Sequence, residues 1–252
     1  MADSVAALVL AAGSGRRLRP LSRLRPKALC PVANVALVDV AIGKAQSVVG
    51  EASVAVNVHH GRAQLEAHLA GRVHISVEEP LALGTAGGVA HLRPWLDGRP
   101  VLVVNADAWH TAPLAPLLSG WDGEVVRVLV AGPAGTVLGP RSPVLASLLP
   151  WREVAGLPRE PWGLWEASWR HRLAEGRLES VAVEAAFVDC GSPADYLAAN
   201  LAASGGASVV GQGAVVHGEL VRSVVWPGGV VGAGEVLVDA IRVGERFTVR
   251  AG

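Results

Sequence analysis

The sequence predicts an α/β protein with a mainly parallel, Rossmann-like sheet flanked by helices, followed by a short left-handed β-helix. Three observations carry that prediction. Apolar runs of strand length alternate with helix-like stretches through the first half of the chain. A glycine-bearing turn rich in cations follows the first of those runs, and from Gly205 onward valines recur every six residues.

The elements follow in order. Val5–Leu10, Ser53–Asn57, His74–Val77 and Val101–Asn105 are apolar or β-branched runs bounded by turn residues, and they read as strands. Asp39–Val49 and Arg62–Ala70 read as helices, and Thr85–Leu96 as a third that begins at an Asn/Thr-type cap region. The alternation predicts parallel strands joined by right-handed crossovers, with ligands beyond their carboxyl ends. Val125–Val130 reads as a further strand, and the chain after Asp107 looks too short for more of the sheet before Trp151. Trp151, Trp162, Trp165 and Trp169 are spaced too irregularly for one helical stripe. Ala194–Ala203, after Ser192-Pro193, reads as the helix that closes a first domain at residue 204. In the tail, 205–252, Val209, Val215 and Val221 fall six apart, as do Val224, Val230 and Val236, with glycines between. That period predicts about two coils of a β-helix, whose open end suits a partner subunit.

Composition narrows the function classes. Apolar residues make up 51% and charged residues 17% of 252, which fits an ordered chain with a large core. The formal net charge is zero, against a nucleic-acid partner held by a general positive field. No apolar run reaches the length of a membrane span, and Met1–Ser4 carries no basic leader, so a cytoplasmic location is expected. Cys30 and Cys190 are too few for a disulfide framework or a four-cysteine zinc site. His59 and His60, adjacent on an extended segment, are expected to point apart and to share no metal.

The chemistry concentrates in Leu10-Ala11-Ala12-Gly13-Ser14-Gly15-Arg16-Arg17-Leu18-Arg19-Pro20, with Arg25-Pro26-Lys27 downstream. Glycines let backbone amides crowd an anion, and the cations neutralise it, so the segment reads as a polyphosphate site. A Walker loop is excluded because Gly15 is followed by two arginines, and a Rossmann fingerprint because Leu18 stands where a small residue is required. Lys27 is one of only two lysines in an arginine-biased chain.

This pattern resembles the signature of the sugar-1-phosphate nucleotidylyltransferases. Four further segments fit it: Asn57-Val-His59-His60, Glu79 to Gly88, Asn105-Ala-Asp107, and Asp189-Cys-Gly-Ser-Pro-Ala-Asp-Tyr196. The resemblance implies the nucleotide-diphospho-sugar transferase fold, and an NTP and a sugar 1-phosphate as substrates. It implies Arg17 and Lys27 as catalytic residues. Nucleotide binding falls to Leu10, Ala11, Ala12, Gly13, Ser14, Gly15, Arg17, Lys27, Glu79, Gly84, Thr85 and Asn105. Asp107 and Asp189 become the Mg2+ ligands. Within the family the mannose-1-phosphate guanylyltransferases, which use GTP, are the nearest resemblance because of the β-helical tail, and a homo-oligomer through that tail is expected.

The chain departs from the family in its centre. The usual Glu-Lys-Pro element, whose lysine holds the sugar phosphate, is missing, and no lysine follows Lys44. Arg127, Arg141 and Arg152 are the candidate substitutes. Three readings therefore stand: an NDP-sugar-forming transferase, a transferase for a smaller non-hexose phosphate, and a non-catalytic nucleotide-binding regulator.

Overall fold

The computed structural model describes residues 5–251, so the Met1–Ser4 segment considered above for a leader lies outside the described residues. Chain contacts form two compact units. One comprises the chain up to Gly13, Val40–Ala106 and His110–Ala186; the other comprises Ser14–Asp39, Asp107–Trp109 and the chain from Phe187 onward. The tail from residue 205 shares a unit with Ser14–Asp39 and Asp107–Trp109.

The first unit is built on a seven-stranded sheet: β1 Ala6–Leu10, β2 Val54–Val58, β3 His74–Val77, β4 Val101–Asn105, β5 Val126–Ala131, β6 Val144–Leu149 and β7 Leu178–Val183. Their spatial order is β7-β5-β6-β4-β1-β2-β3. Every pair is parallel except those made by β6, which runs antiparallel to both β4 and β5. The central register places Leu8 of β1 between Ala55 and Val103. Buried β-branched and small residues on both faces explain why these strands read as unbroken apolar runs rather than alternating ones.

One strand, β6, stands where the sequence promised too little chain. β6 is the continuous run Val-Leu-Ala-Ser-Leu-Leu, and β7 adds an edge strand after the tryptophan-rich stretch. The longer helices here are α1 Leu37–Val49, α2 Arg62–Leu69 and α3 Gly84–His91. The expected single helix over 85–96 is two: α3 ends before a separate turn, Arg93–Leu96, because Pro94 cannot continue an α ladder. Its cap position is Leu83, with no side-chain cap, rather than a threonine. Trp151, Trp165 and Trp169 pack on the core formed by this sheet, while Trp162 is exposed.

The second unit is organised around α4, Pro193–Ala203. Ser192 caps it: the Asp195 amide donates to Ser192 Oγ, the Ser192 amide donates to Asp195 Oδ2, and Pro193 supplies a pre-set first residue. The Tyr196 hydroxyl donates to the Pro31 carbonyl and accepts from Trp226 Nε1 at 3.0 Å. Asn200 Oδ1 accepts from the Ala33 amide. Around these lie Leu18, Leu21, Cys30, Leu37, Cys190 and Ile241 as one core.

The tail forms parallel rungs on three faces, pairing Val209 with Val224, Val224 with Ile241, Val215 with Val230, and Glu219 with Val236. Successive coils therefore stack in parallel, the arrangement expected of a β-helix, and an antiparallel strand, Phe247–Arg250, ends the stack.

Candidate active site

In the second unit the chain makes a left-handed turn at Gly15 (φ 57°) and passes into a short 3-10 turn over Arg16–Leu18. A Cβ at Gly15 would lie 3.0 Å from the Cβ of Lys27 and 3.2 Å from that of Ser22, so only glycine lets these segments close. The Ser22 hydroxyl donates to the Gly15 carbonyl at 2.7 Å and fixes the turn. Lys27 opens a second 3-10 turn, Lys27–Leu29, after Pro26.

Lys27 is the centre of the cluster. Its Nζ donates to Asp107 Oδ2 at 3.1 Å and to Asp189 Oδ1 at 3.2 Å, partners 80 and 162 positions away. The lysine side chain is 9% exposed, while the aspartates are 56% and 43% exposed. Arg17, 74% exposed, donates from Nη2 to Asp189 Oδ2 at 3.1 Å. A backbone bond from the Cys190 amide to the Asp107 carbonyl ties the two acidic segments together. Thus four sequence-selected residues meet: one buried cation, one exposed cation and two accessible carboxylates. Arg16 and Arg19 are exposed. Cys30 and Cys190 are buried, and burial pushes both thiols up to about 12, so they stay protonated and unreactive at neutral pH.

The first unit carries the remaining selected residues. The Ala11 amide donates to Asn57 Oδ1 at 2.7 Å, and Asn57 Nδ2 donates to Glu78 Oε1 at 2.7 Å. Glu78 Oε2 accepts from the Leu83 amide at 2.7 Å. This fully buried carboxylate joins the loop after β1 to the loop before α3. Sequence reading selected its neighbour Glu79, which is instead exposed and ion-paired with Arg62. The missed signal is the period of two along β3, which puts Ser76 and Glu78 on the same buried side. Ala12 is buried, Ser14 half-buried, and Gly13 exposed.

Gly84 (φ 68°) lies under the backbone of Trp162, whose carbonyl would stand 2.6 Å from a Cβ there. The Ala86 amide donates to that same carbonyl, and the Leu164 amide donates to Thr85 Oγ1 at 2.7 Å. The close approach that requires glycine at 84 is therefore to the tryptophan-rich segment. Leu10, Thr85 and Asn105 line a cavity of about 220 Å3, and Asn105 Nδ2 donates to the Val144 carbonyl at 3.3 Å. The His59 and His60 rings do not point apart: they meet edge to face at 4.6 Å, and His59 Nδ1 contacts the Glu78 carbonyl. The chain turns at this point instead of staying extended, which is why the strand rule fails here. Among the described residues no three His, Cys, Asp or Glu side chains cluster as a metal site.

The nucleotidyl transferase family matches residues 6–125. That stretch contains the glycine turn, Lys27 and Asp107. Over 134 residues the chain is 41% identical to the N-acetylmuramate alpha-1-phosphate uridylyltransferase of Caulobacter vibrioides, covering 48% of this chain and 55% of that protein. Over 142 residues it is 34% identical to the mannose-1-phosphate guanylyltransferase catalytic subunit beta of Dictyostelium discoideum, covering 51% and 39%. The chain thus spans about half, or less, of the length of the curated relatives it matches. Among solved structures, the mannose-1-phosphate geranyltransferase of Thermus thermophilus superposes with a TM-score of 0.71 at 19% identity, covering 98% of this chain and 95% of that one. That likeness is one of fold.

Proposed function

We propose that the chain transfers a nucleotidyl group from an NTP to a sugar 1-phosphate and releases pyrophosphate. The observation that carries this reading is the convergence of Asp107 and Asp189 on Lys27, with Arg17 on Asp189. Four charged groups from distant parts of the chain meet there, and each has a use in phosphoryl chemistry.

In the reaction an oxygen of the sugar phosphate attacks the α-phosphorus of the NTP. The new bond is Pα–O(sugar phosphate), the bond from Pα to the bridging oxygen of the β-phosphate breaks, and pyrophosphate carries away that electron pair. Nothing is oxidised or reduced. The nucleophile is already an anion, so no side chain must remove a proton, and alignment with charge neutralisation supplies most of the catalysis. Lys27, held out of water, is a compact charge suited to the α-phosphate and the incoming phosphate. Arg17, largely in solvent, is free to leave Asp189 and hold the β- and γ-phosphates. The buried Glu78–Asn57 link fixes the amide of Ala11, and with it the loop through Gly13.

Asp107 and Asp189 fit a divalent cation, in our reading Mg2+. Two hard, partly exposed carboxylates face one point, the ligand set of a magnesium ion that completes its shell with water and substrate phosphates. When bound it would neutralise charge on the phosphates and on the leaving group.

The finer reading, GTP with mannose 1-phosphate, is supported by the tail and by the Dictyostelium relative. The Caulobacter relative supports UTP with N-acetylmuramate 1-phosphate as the second reading. We assign the reaction to the cytoplasm; among the described residues no helix is long and apolar enough to cross a membrane. Self-association through the tail is supported by exposed Val215, Val236, Val238 and Phe247, and light scattering would test it. The function itself is tested by incubating the four NTPs with a panel of sugar 1-phosphates and Mg2+, reading pyrophosphate. One pair should turn over well above the others. Nucleotide binding without pyrophosphate from any pair would establish the regulatory reading instead.

A further inference from the structure

We infer that Trp226, a residue of the β-helical tail, is a positioning residue for Lys27 and acts through the guanidinium of Arg25. This inference rests on the transferase reading above and adds a part to its site. Every group it uses lies in the second unit.

The link from Arg25 to Lys27 is stiff. Arg25 is extended (φ −150°, ψ 134°), the region left to a residue before proline, and the Pro26 ring fixes its own φ at −49°. Two residues with settled dihedrals therefore carry the placement of Arg25 forward to the backbone of Lys27. The Lys27 side chain is buried and bonded at its tip to two carboxylates. A shift at Arg25 is thus passed on to the ammonium.

What holds the Arg25 side chain comes from the tail. Its guanidinium makes no hydrogen bond or ion pair with another described residue, and its Cζ stands 5.0 Å from the centroid of the Trp226 ring. Within about 6 Å a guanidinium is drawn to the negative face of an indole, the best aromatic partner for a cation. Arg25 is half-buried and Trp226 is 3% exposed, so the pair is partly withdrawn from water.

The indole itself is fixed on three sides. The Trp226 amide donates to the Arg242 carbonyl of the next coil at 2.9 Å. Its Nε1 donates to the Tyr196 hydroxyl at 3.0 Å, and the Tyr196 ring meets it edge to face with centroids 6.3 Å apart. Trp226 thus ties the stacked coils of the tail to the segment that presents Lys27.

The test uses the full chain and reads two quantities, turnover and the reactivity of Lys27. Lys27 and Lys44 are the only lysines, so acylation by an amine-reactive ester can be followed at each by mass spectrometry, with Lys44 as reference. Arg25→Gln and Trp226→Leu should each lower kcat about 2–30-fold, the bias one cation–π pair supplies. KM for the NTP should stay unchanged, because Arg17 and the glycine turn are untouched. Each variant should raise the acylation rate of Lys27 and leave that of Lys44 alone. The double variant should lose no more than either single one, because both act through one contact. Trp226→Phe keeps an aromatic face and should retain most of kcat. Tyr196→Phe, which costs stability and leaves the indole in the core, should keep kcat and so separates positioning from folding. If Trp226→Leu does not fold, Arg25→Gln decides by the same two readings. Wild-type kcat or an unmoved Lys27 acylation rate in Arg25→Gln overturns the proposal. So do losses that multiply in the double variant, or a Trp226→Phe as impaired as Trp226→Leu. If the wild type releases no pyrophosphate from any substrate pair, the transferase reading fails. The acylation rates still report whether Trp226 holds the lysine.

Discussion

Lys27→Met removes one charge and keeps the length of the side chain, so it isolates what the ammonium does. In the wild type that ammonium sits 3.1 and 3.2 Å from two carboxylates. Two charges 4 Å apart interact by about 4 kcal/mol at an effective dielectric near 20 and by about 1 kcal/mol in water. Both aspartates are roughly half exposed, so each contact belongs nearer the lower figure. The variant also leaves Asp107 and Asp189 facing each other without a counter-charge. A loss of about 2 kcal/mol follows, which for a chain of this size lowers Tm by about 4–8 °C. Differential scanning fluorimetry reads this directly. Millimolar Mg2+ should recover more of the lost Tm in the variant than it adds to the wild type, because the two freed carboxylates take the cation. Activity falls further than stability: loss of one preorganised charge at the transferring phosphate corresponds to about 10^2–10^3 in kcat. A folded Lys27→Met that releases pyrophosphate within a factor of ten of wild type would refute the assignment of Lys27 to the reacting phosphates.

Three further outcomes are expected. Glu78→Ala leaves the Asn57 amide and the Leu83 N–H buried without an acceptor, at about 1–3 kcal/mol each; urea titration should show that loss, and KM for the NTP should rise as Ala11 loses its tether. Tyr196→Phe strands Trp226 Nε1 and should lower unfolding free energy by about 1–3 kcal/mol with kcat unchanged. Burial, reinforced by the nearby Lys44 charge, lowers the His110 imidazole to about 4. The unfolded chain binds that proton near pH 6.5 and the folded one does not. Stability should therefore be full above pH 6.5 and fall by up to about 3 kcal/mol as pH drops towards 4. The difference between wild type and His110→Phe across pH 4–7 isolates this contribution, and a constant difference would contradict it.

The parallel half of the sheet was legible because strands buried on both faces are unbroken apolar runs closed by turn residues, as at Val101–Asn105. The Ser192-Pro193-x-Asp195 start of α4 was legible because a capping box is local chemistry. Lys27, Asp107 and Asp189 were legible only through their motif, since nothing local says that Lys27 donates to a carboxylate 162 positions away. What sequence reading missed depends on tertiary partners. The strand Val144–Leu149 is apolar without a period, and only pairing with Val101–Val104 and Arg127–Val130 makes it a strand. Glu78 was passed over for Glu79 because burial, not residue type, separates them. The need for glycine at 84 likewise comes from a tertiary partner, the Trp162 backbone.

The most direct test of the account follows an NTP labelled at its α-phosphate in the presence of Mg2+ and the preferred sugar 1-phosphate, with the products weighed by mass spectrometry. The account predicts an NDP-sugar carrying the label, formed in a one-to-one ratio with pyrophosphate and lost in Lys27→Met. Label found only in NMP or NDP, with no sugar nucleotide from any acceptor, would contradict it.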